Sequence, residues 1–256
     1  MGLKICSIGS GSQGNCTFIS SGKTKILVDA GIKYERIGKS LKVLGEDTDN
    51  LNVLITHTHT DHIGGLYQLT SKTHTKVYAH ASHGDLSKKG KVKINQFSFQ
   101  FTVGDILVTP FLVPHDSPCY GFTLQSGHSV ISILTDLGEI TSKIINHIKY
   151  SDIVFIESNH CENLLKNGSY PPHLKQRILS SQGHLSNTAC AEACVELALG
   201  KAKQIILGHL SQENNYPELA FNTVKSYLAD EGIIEGKDVK IEVASQDKMS
   251  GLYEIL

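Results

Sequence analysis

Residues 56–62 read Thr-His-Thr-His-Thr-Asp-His and follow directly on the apolar run Leu51-Asn52-Val53-Leu54-Ile55. Three imidazoles and a carboxylate packed this closely at the end of a strand are ligand chemistry for zinc and similar borderline cations. His57 and His59 lie two apart, so in extended chain they project to the same side. Asp61 and His62 come where a helix over 61–71 is expected to begin, which turns them toward a second ion. A polar loop that happens to be rich in histidine is the competing reading, and the density of donors weighs against it.

The rest of the chain bounds what can surround such a segment. Its 256 residues are 40% hydrophobic with a formal net charge of −1, enough for a sizeable core in one large or two small domains. No internal repeat, low-complexity stretch or linker divides it, so residues 1–256 read as a single domain. No apolar run reaches 18 residues, and no membrane span is expected. The N-terminus reads as a first strand rather than a signal peptide, and the six scattered cysteines form no CxxC pair. A reduced, cytoplasmic protein is the expectation. Near-neutral charge argues against gripping nucleic acid through bulk positive charge, although metals bound in a pocket supply strong local charge.

Hydrophobic patterning places short strands in the first thirty residues, separated by glycine-rich turns, and a helix over 34–44. A strand over 53–56 leads into the helix over 61–71, and a short helix lies near 81–88. Strands are expected at 92–94, 97–101, 106–111, 121–125 and 130–134. A helix over 141–149, a strand over 153–157 and an irregular segment over 158–184 follow. A helix over 187–199, capped by Ser186 or Asn187, then a strand, a helix and a strand complete the chain. Strands in two blocks, each followed by helices, suggest an α/β arrangement of two sheets with helices outside.

Residues 57–62 cannot complete a two-metal centre, so other donors at strand ends become candidates. His115 follows Phe111-Leu112-Val113-Pro114, Asp136 follows Ile131-Ser132-Ile133-Leu134-Thr135, and His209 follows Ile205-Ile206-Leu207-Gly208. Loops at the ends of rigid strands commonly carry function. Any one of the three alone reads as a surface polar residue; the set reads as ligands.

His57-x-His59-x-Asp61-His62, His115, Asp136 within Thr135-Asp136-Leu137-Gly138, and His209 resemble, in order and along nearly the whole chain, the motifs of the metallo-β-lactamase superfamily. The resemblance implies an αββα four-layer sandwich. It implies that His57, His59 and His115 hold one divalent cation, that Asp61, His62 and His209 hold the other, and that Asp136 bridges them. The cations would be zinc or manganese, with iron also compatible. They would share a water and lower its pKa to give hydroxide near neutral pH, so Asp61 and Asp136 belong to the catalytic set and hydrolysis is the expected reaction. Asp29 resembles the family's buried aspartate that orients a ligand histidine; it also reads as a plain strand-end turn residue.

The substrate is less legible, since one ligand set serves several chemistries. Aspartate at position 136, where lactamases of the superfamily commonly carry cysteine, disfavours a lactamase. Histidine at 59, where the flavodiiron branch has glutamate, disfavours an iron oxidoreductase. The segment 137–208 is too short for the cap of β-CASP nucleases. Ser10-Gly11-Ser12-Gln13-Gly14-Asn15-Cys16, Glu157-Ser158-Asn159-His160 and Gly183-His184-Leu185-Ser186-Asn187 are similar to the WalJ-type (also called YycJ-type) branch, which implies a 5′-to-3′ exonuclease acting on double-stranded DNA. His184 would be a phosphate contact or general acid, and Ser12, Asn15, His160 and Asn187 would contact substrate. The Ser10–Asn15 segment also reads as a tight turn between strands, and Ser186-Asn187 as a helix cap. Cys161 stands where that branch has aspartate. The basic stretch 88–93 reads as a solvated face or a DNA contact. A small-molecule hydrolase acting on a thioester or cyclic phosphodiester is the alternative, and a non-catalytic metal-binding module is a third reading that the complete ligand set disfavours. DNA is the expected substrate partner; neither a membrane nor an obligate protein partner is implied.

Overall fold

The computed structural model describes residues 2–84, 86 and 92–255. In chain order its elements are β1 (Lys4–Gly9), β2 (Cys16–Ser20), β3 (Lys25–Val28), α1 (Tyr34–Val43), β4 (Leu51–Leu54), α2 (Thr60–Ile63), α3 (Leu66–Lys72), β5 (Lys76–His80), β6 (Ile94–Phe97), β7 (Phe101–Val103), β8 (Ile106–Val113), β9 (Cys119–Ser126), β10 (Ser129–Leu134), α4 (Ser142–Ile148), β11 (Ile153–Glu157), α5 (Glu162–Asn167), α6 (Pro172–Ile178), α7 (Asn187–Leu199), β12 (Gln204–Gly208), α8 (Pro217–Asp230), β13 (Lys240–Val243) and β14 (Tyr253–Glu254). They form two seven-stranded mixed sheets, β14-β1-β2-β3-β4-β5-β6 and β13-β12-β11-β10-β9-β8-β7, flanked by helices. Two compact units result, the first comprising residues 1–110, 124–129 and 245–256 and the second residues 111–123 and 130–244.

In the first unit, β3 pairs parallel with β4 in the register Val28↔Leu54. Side chains of β1–β5 close a core with Ile37 and Leu41 of α1 and Leu66 and Leu69 of α3. In the second unit β10, β11, β12 and β13 run parallel, with Leu134↔Ile156 and Glu157↔Gly208 in register. Every residue of β11 and β12 is buried, and α4, α7 and α8 pack on them. Parallel strands covered on both faces read as continuous apolar runs, which is why Ile-Val-Phe-Ile and Ile-Ile-Leu lack alternation. Their shared direction brings the ends of the strands to one edge, where open α/β sheets present ligand-binding residues.

Several expected boundaries move. The strand placed at 53–56 runs from Leu51 to Leu54, and Ile55 and Thr56 lie in the loop. The helix expected over 61–71 is two helices broken at Gly64-Gly65. A Cβ on Gly65 would lie 1.9 Å from the Ile32 carbonyl oxygen, so close backbone contact decides this residue. The strand placed at 97–101 is a bend between β6 and β7. The segment 158–184, expected to be irregular, contains α5 and α6; short helices carry too few turns for periodicity to register. Near 81–88 a 3₁₀ turn covers Ala81–His83, and Lys88, Lys89 and Lys91 of the basic stretch lie outside the described residues. Among the described residues, no helix is long and apolar enough to cross a membrane.

Candidate functional site

In the first unit the loop after β4 carries His57, His59, Asp61 and His62. His57 and His62 are fully buried, whereas His59 and Asp61 are partly exposed. The His57 ring centroid is 4.5 Å from that of His59 and 4.2 Å from that of His62. Asp29, one residue past β3, closes the arrangement from below. Its Oδ2 accepts from His62 Nδ1 at 2.6 Å and from Thr56 Oγ1 at 2.8 Å, and its Oδ1 accepts from Thr56 N at 2.9 Å. With Nδ1 committed to a carboxylate, the Nε2 lone pair of His62 is the one available to a cation. Burial pushes the Asp29 carboxyl up, against the opposing pull of His62 and Thr56. Asp29 is therefore the buried aspartate that orients a histidine, not merely a turn residue.

The chain around Asp29 is built for close approach. Asn15 N donates to the Asp61 carbonyl at 2.7 Å, Ala30 N to the His62 carbonyl at 2.9 Å and Gly31 N to the Asn15 carbonyl at 2.8 Å. A Cβ on Gly31 would lie 1.6 Å from the Asp61 carbonyl oxygen, so no other residue fits there. Asn15, expected to touch substrate, is buried; its Nδ2 lies 3.0 Å from His62 Nε2 and 3.4 Å from Asp61 Oδ2. Ser12, in the same turn, is exposed.

The second unit gathers His115, Asp136, His184 and His209 around Glu157, a residue with no role of its own in the sequence reading. Glu157 Oε1 accepts from His209 Nδ1 at 2.6 Å and from His184 Nδ1 at 2.9 Å, while Oε2 accepts from the amides of Leu137 at 3.0 Å and Leu185 at 3.1 Å. Burial by itself would raise this carboxyl; the charges and hydrogen bonds of His184 and His209 overcome it and bring it down to about 2. Burial opposes protonation of His184, yet the Glu157 and Asp136 carboxylates raise it above the ordinary histidine value. Burial lowers His115, whose Nδ1 donates to the Gly183 carbonyl at 3.3 Å. Donor atoms of Asp136, Glu157, His184 and His209 lie within 4.8 Å of one another. The signal for Glu157 was available in principle, since it is a lone acid ending an otherwise apolar buried strand.

Backbone strain marks the same positions. Asp29, Asp136 and His209 have φ of 62°, 59° and 55°, and of the described non-glycine residues only Asn50 shares the left-handed region. Such conformations cost about 1–3 kcal/mol each and persist where surroundings over-determine them. At His209 the surroundings are visible: Asn159 Nδ2 donates to its carbonyl at 2.8 Å while Glu157 holds its ring. The Glu157-Ser158-Asn159 stretch thus fixes both ends of one histidine. Gly183 brings His184 into place, because a Cβ there would lie 2.2 Å from the carbonyl oxygens of Arg177 and Ile178.

The remaining expected contacts fall differently. Asn187 is buried in a reciprocal amide pair with Asn215 (2.9 and 2.8 Å) and also accepts from Ser158 Oγ at 2.8 Å. Ser186 is the cap of α7, accepting from Ala189 N at 3.2 Å. His160 is buried, and burial lowers it to about 4. Cys161 occupies the N-cap of α5 and makes no side-chain cap bond. His83 is buried as well.

Carboxylate-anchored imidazoles on the edges of two mixed sheets define a class, and the chain belongs to the β-lactamase superfamily. The family model described as "Beta-lactamase superfamily domain" matches residues 24–210. The protein is a metal-dependent hydrolase of that family. It is 36% identical to exodeoxyribonuclease WalJ of Streptococcus pneumoniae serotype 2, an alignment covering 100% of this chain and 99% of that one. It is 34% identical to exodeoxyribonuclease YycJ of Bacillus anthracis, covering 94% of this chain and 95% of the other. Among solved structures, the metallo-β-lactamase fold protein YhfI from Bacillus subtilis superposes with a TM-score of 0.76 at 17% identity, covering 99% and 100% of the two chains. That likeness shows the expected αββα fold class.

Proposed function

We propose that this protein is a phosphodiesterase that shortens double-stranded DNA from 5′ to 3′, with residues 1–256 acting as one functional domain. The observation that carries the DNA assignment is the similarity over the whole chain to two exodeoxyribonucleases. His57, His59 and His115 would hold one divalent cation and Asp61, His62 and His209 the other, with Asp136 shared. The donor set fits such ions: His62 and His209 each commit Nδ1 to a buried carboxylate at 2.6 Å, leaving Nε2 as the ligand atom. When bound, zinc, manganese or iron ions supply a hydroxide nucleophile near neutral pH and stabilise charge developing on the phosphate.

The side chains then have separate tasks. Asp29 and Glu157 fix the tautomer and aim of the ligand histidines. His184, whose Nδ1 is held by Glu157 and whose protonated form is favoured by the Glu157 and Asp136 carboxylates, is proposed to give a proton to the departing 3′-oxygen as general acid. Ser12, which is exposed, is the contact proposed for the strand itself, while the buried His160 is proposed to shape the pocket wall. Asn15 and Asn187 act on substrate through the loops that they anchor.

A matrix of metals against substrates tests the reading. Manganese- or zinc-loaded protein should release nucleotides from 5′-labelled duplex DNA and leave RNA, a cyclic phosphodiester and a thioester untouched. Turnover of either small molecule with no release from DNA would replace this reading by a small-molecule hydrolase.

A further inference from the structure

In the first unit, beside the proposed metal ligand Asp61, lies a cavity of about 510 Å³ whose lining includes Ser12, Lys33, Arg36, Asp61, Gln246 and Asp247. Two features set its charge. The Arg36 guanidinium donates through one nitrogen to the Ile8 carbonyl at 2.6 Å and the Gln246 carbonyl at 2.8 Å. Gly9 makes room for it, since a Cβ there would lie 2.8 Å from that nitrogen. Carbonyls anchor a guanidinium without cancelling its charge, and its fork has five N–H donors in all. Among the described residues neither Arg36 nor Lys33 has a carboxylate partner.

Lys33 breaks a local rule. It occupies the N-cap of α1 with no side-chain cap bond, a position that favours Ser, Thr, Asp or Asn and disfavours a cation. The acid of the first turn does not compensate it, because Glu35 is drawn to Gln68 Nε2 at 2.9 Å and Lys72 Nζ at 3.2 Å. A lysine and a fixed guanidinium thus meet a helix N-terminus at one cavity wall, at a local cost to α1. Where a sequence breaks a local rule, function is the usual compensation.

We propose that this cavity is an anion subsite that takes a phosphate of the substrate strand, held by Lys33 and Arg36 beside Asp61. The proposal rests on the DNA reading above and gives that reading a second point of grip on the strand. Asp61 adds a negative charge that a coordinated cation offsets, and Asp247 is left as the opposing charge.

Binding to a phosphorothioate-linked duplex, which keeps its charge and resists cleavage, is measured by fluorescence anisotropy across a salt series with metal-loaded protein. Lys33→Gln should weaken binding about tenfold and lower the slope of log affinity against log salt by about 1. Asp247→Asn should strengthen binding about two- to threefold by removing the opposing charge. Circular dichroism confirms that both variants fold. A loss seen only with a 5′-phosphorylated duplex identifies a terminal phosphate, and an equal loss with a 5′-hydroxyl duplex identifies a backbone phosphate. Wild-type protein that cuts DNA while Lys33→Gln binds with unchanged affinity and slope overturns the subsite alone. Wild-type protein that neither binds nor cuts DNA overturns the parent reading and this one together.

Discussion

Asp29 in the first unit and Glu157 in the second solve the same problem with opposite electrostatic results. Each is a buried carboxylate at or just past the end of an interior sheet strand, and each accepts from the Nδ1 of a histidine at 2.6 Å. Asp29 serves one imidazole together with the Thr56 amide and hydroxyl, and its carboxyl is pushed up. Glu157 serves two imidazoles and two amides, and its carboxyl falls to about 2. Burial penalises both ions alike, so the number and charge of the partners decide the sign. Glu157 is the structural keystone of its unit, whereas Asp29 is a lighter brace.

The largest expected effect follows from that asymmetry. Glu157→Ala should cost about 3–5 kcal/mol in urea denaturation, because it strands the buried His209 ring, the partly buried His184 ring and two amides. Asp29→Ala should cost less, about 2–3 kcal/mol; equal costs would break the comparison.

Acid titration of the metal-free protein sharpens it. The folded Glu157 value lies below its ordinary 4.5, so its contribution is present above pH 4.5 and is lost as pH falls toward 2. That contribution is about 3 kcal/mol by linkage. The folded Asp29 value is raised, so its contribution is present below its ordinary value near 3.8 and is lost as pH rises through the folded value. Glu157→Gln should therefore flatten a limb of stability that climbs with pH, and Asp29→Asn one that descends. Changes of the same sign in the two variants would refute the assignment.

Metal affinity, read by competition with a chelator, comes next. Asp29→Asn should weaken binding about 10- to 100-fold, since partners of ligand histidines have effects of that size. The smallest effect is local. Cys161→Asp places a capping carboxylate at the N-cap of α5 and should stabilise the fold by about 1 kcal/mol, visible as a higher Tm with unchanged metal affinity.

Much of the candidate site was readable one segment at a time. The His57–His62 cluster states its chemistry locally, and His115, Asp136 and His209 are each announced by the apolar strand before them. Asp29 was legible only with an alternative attached, because a strand-end aspartate and a histidine brace look alike until His62 is seen beside it. Asn187 and Asn15 show the opposite limit. Both amides are committed to neighbours far away in sequence, Asn215 in one case and Asp61 and His62 in the other.

The sequence by itself determined the candidate donor types, the apolar strands that present them and, through the motif order, the superfamily. Tertiary structure alone decided what holds the ligands still. Glu157 becomes an anchor only when β10, β11 and β12 align in parallel register, and Gly31 becomes obligatory only when its backbone meets Asp61. Ligand identity is a property of single residues with a fixed chemistry, whereas tautomer, aim and charge state belong to contacts between distant segments. Those contacts exist only once the chain has folded.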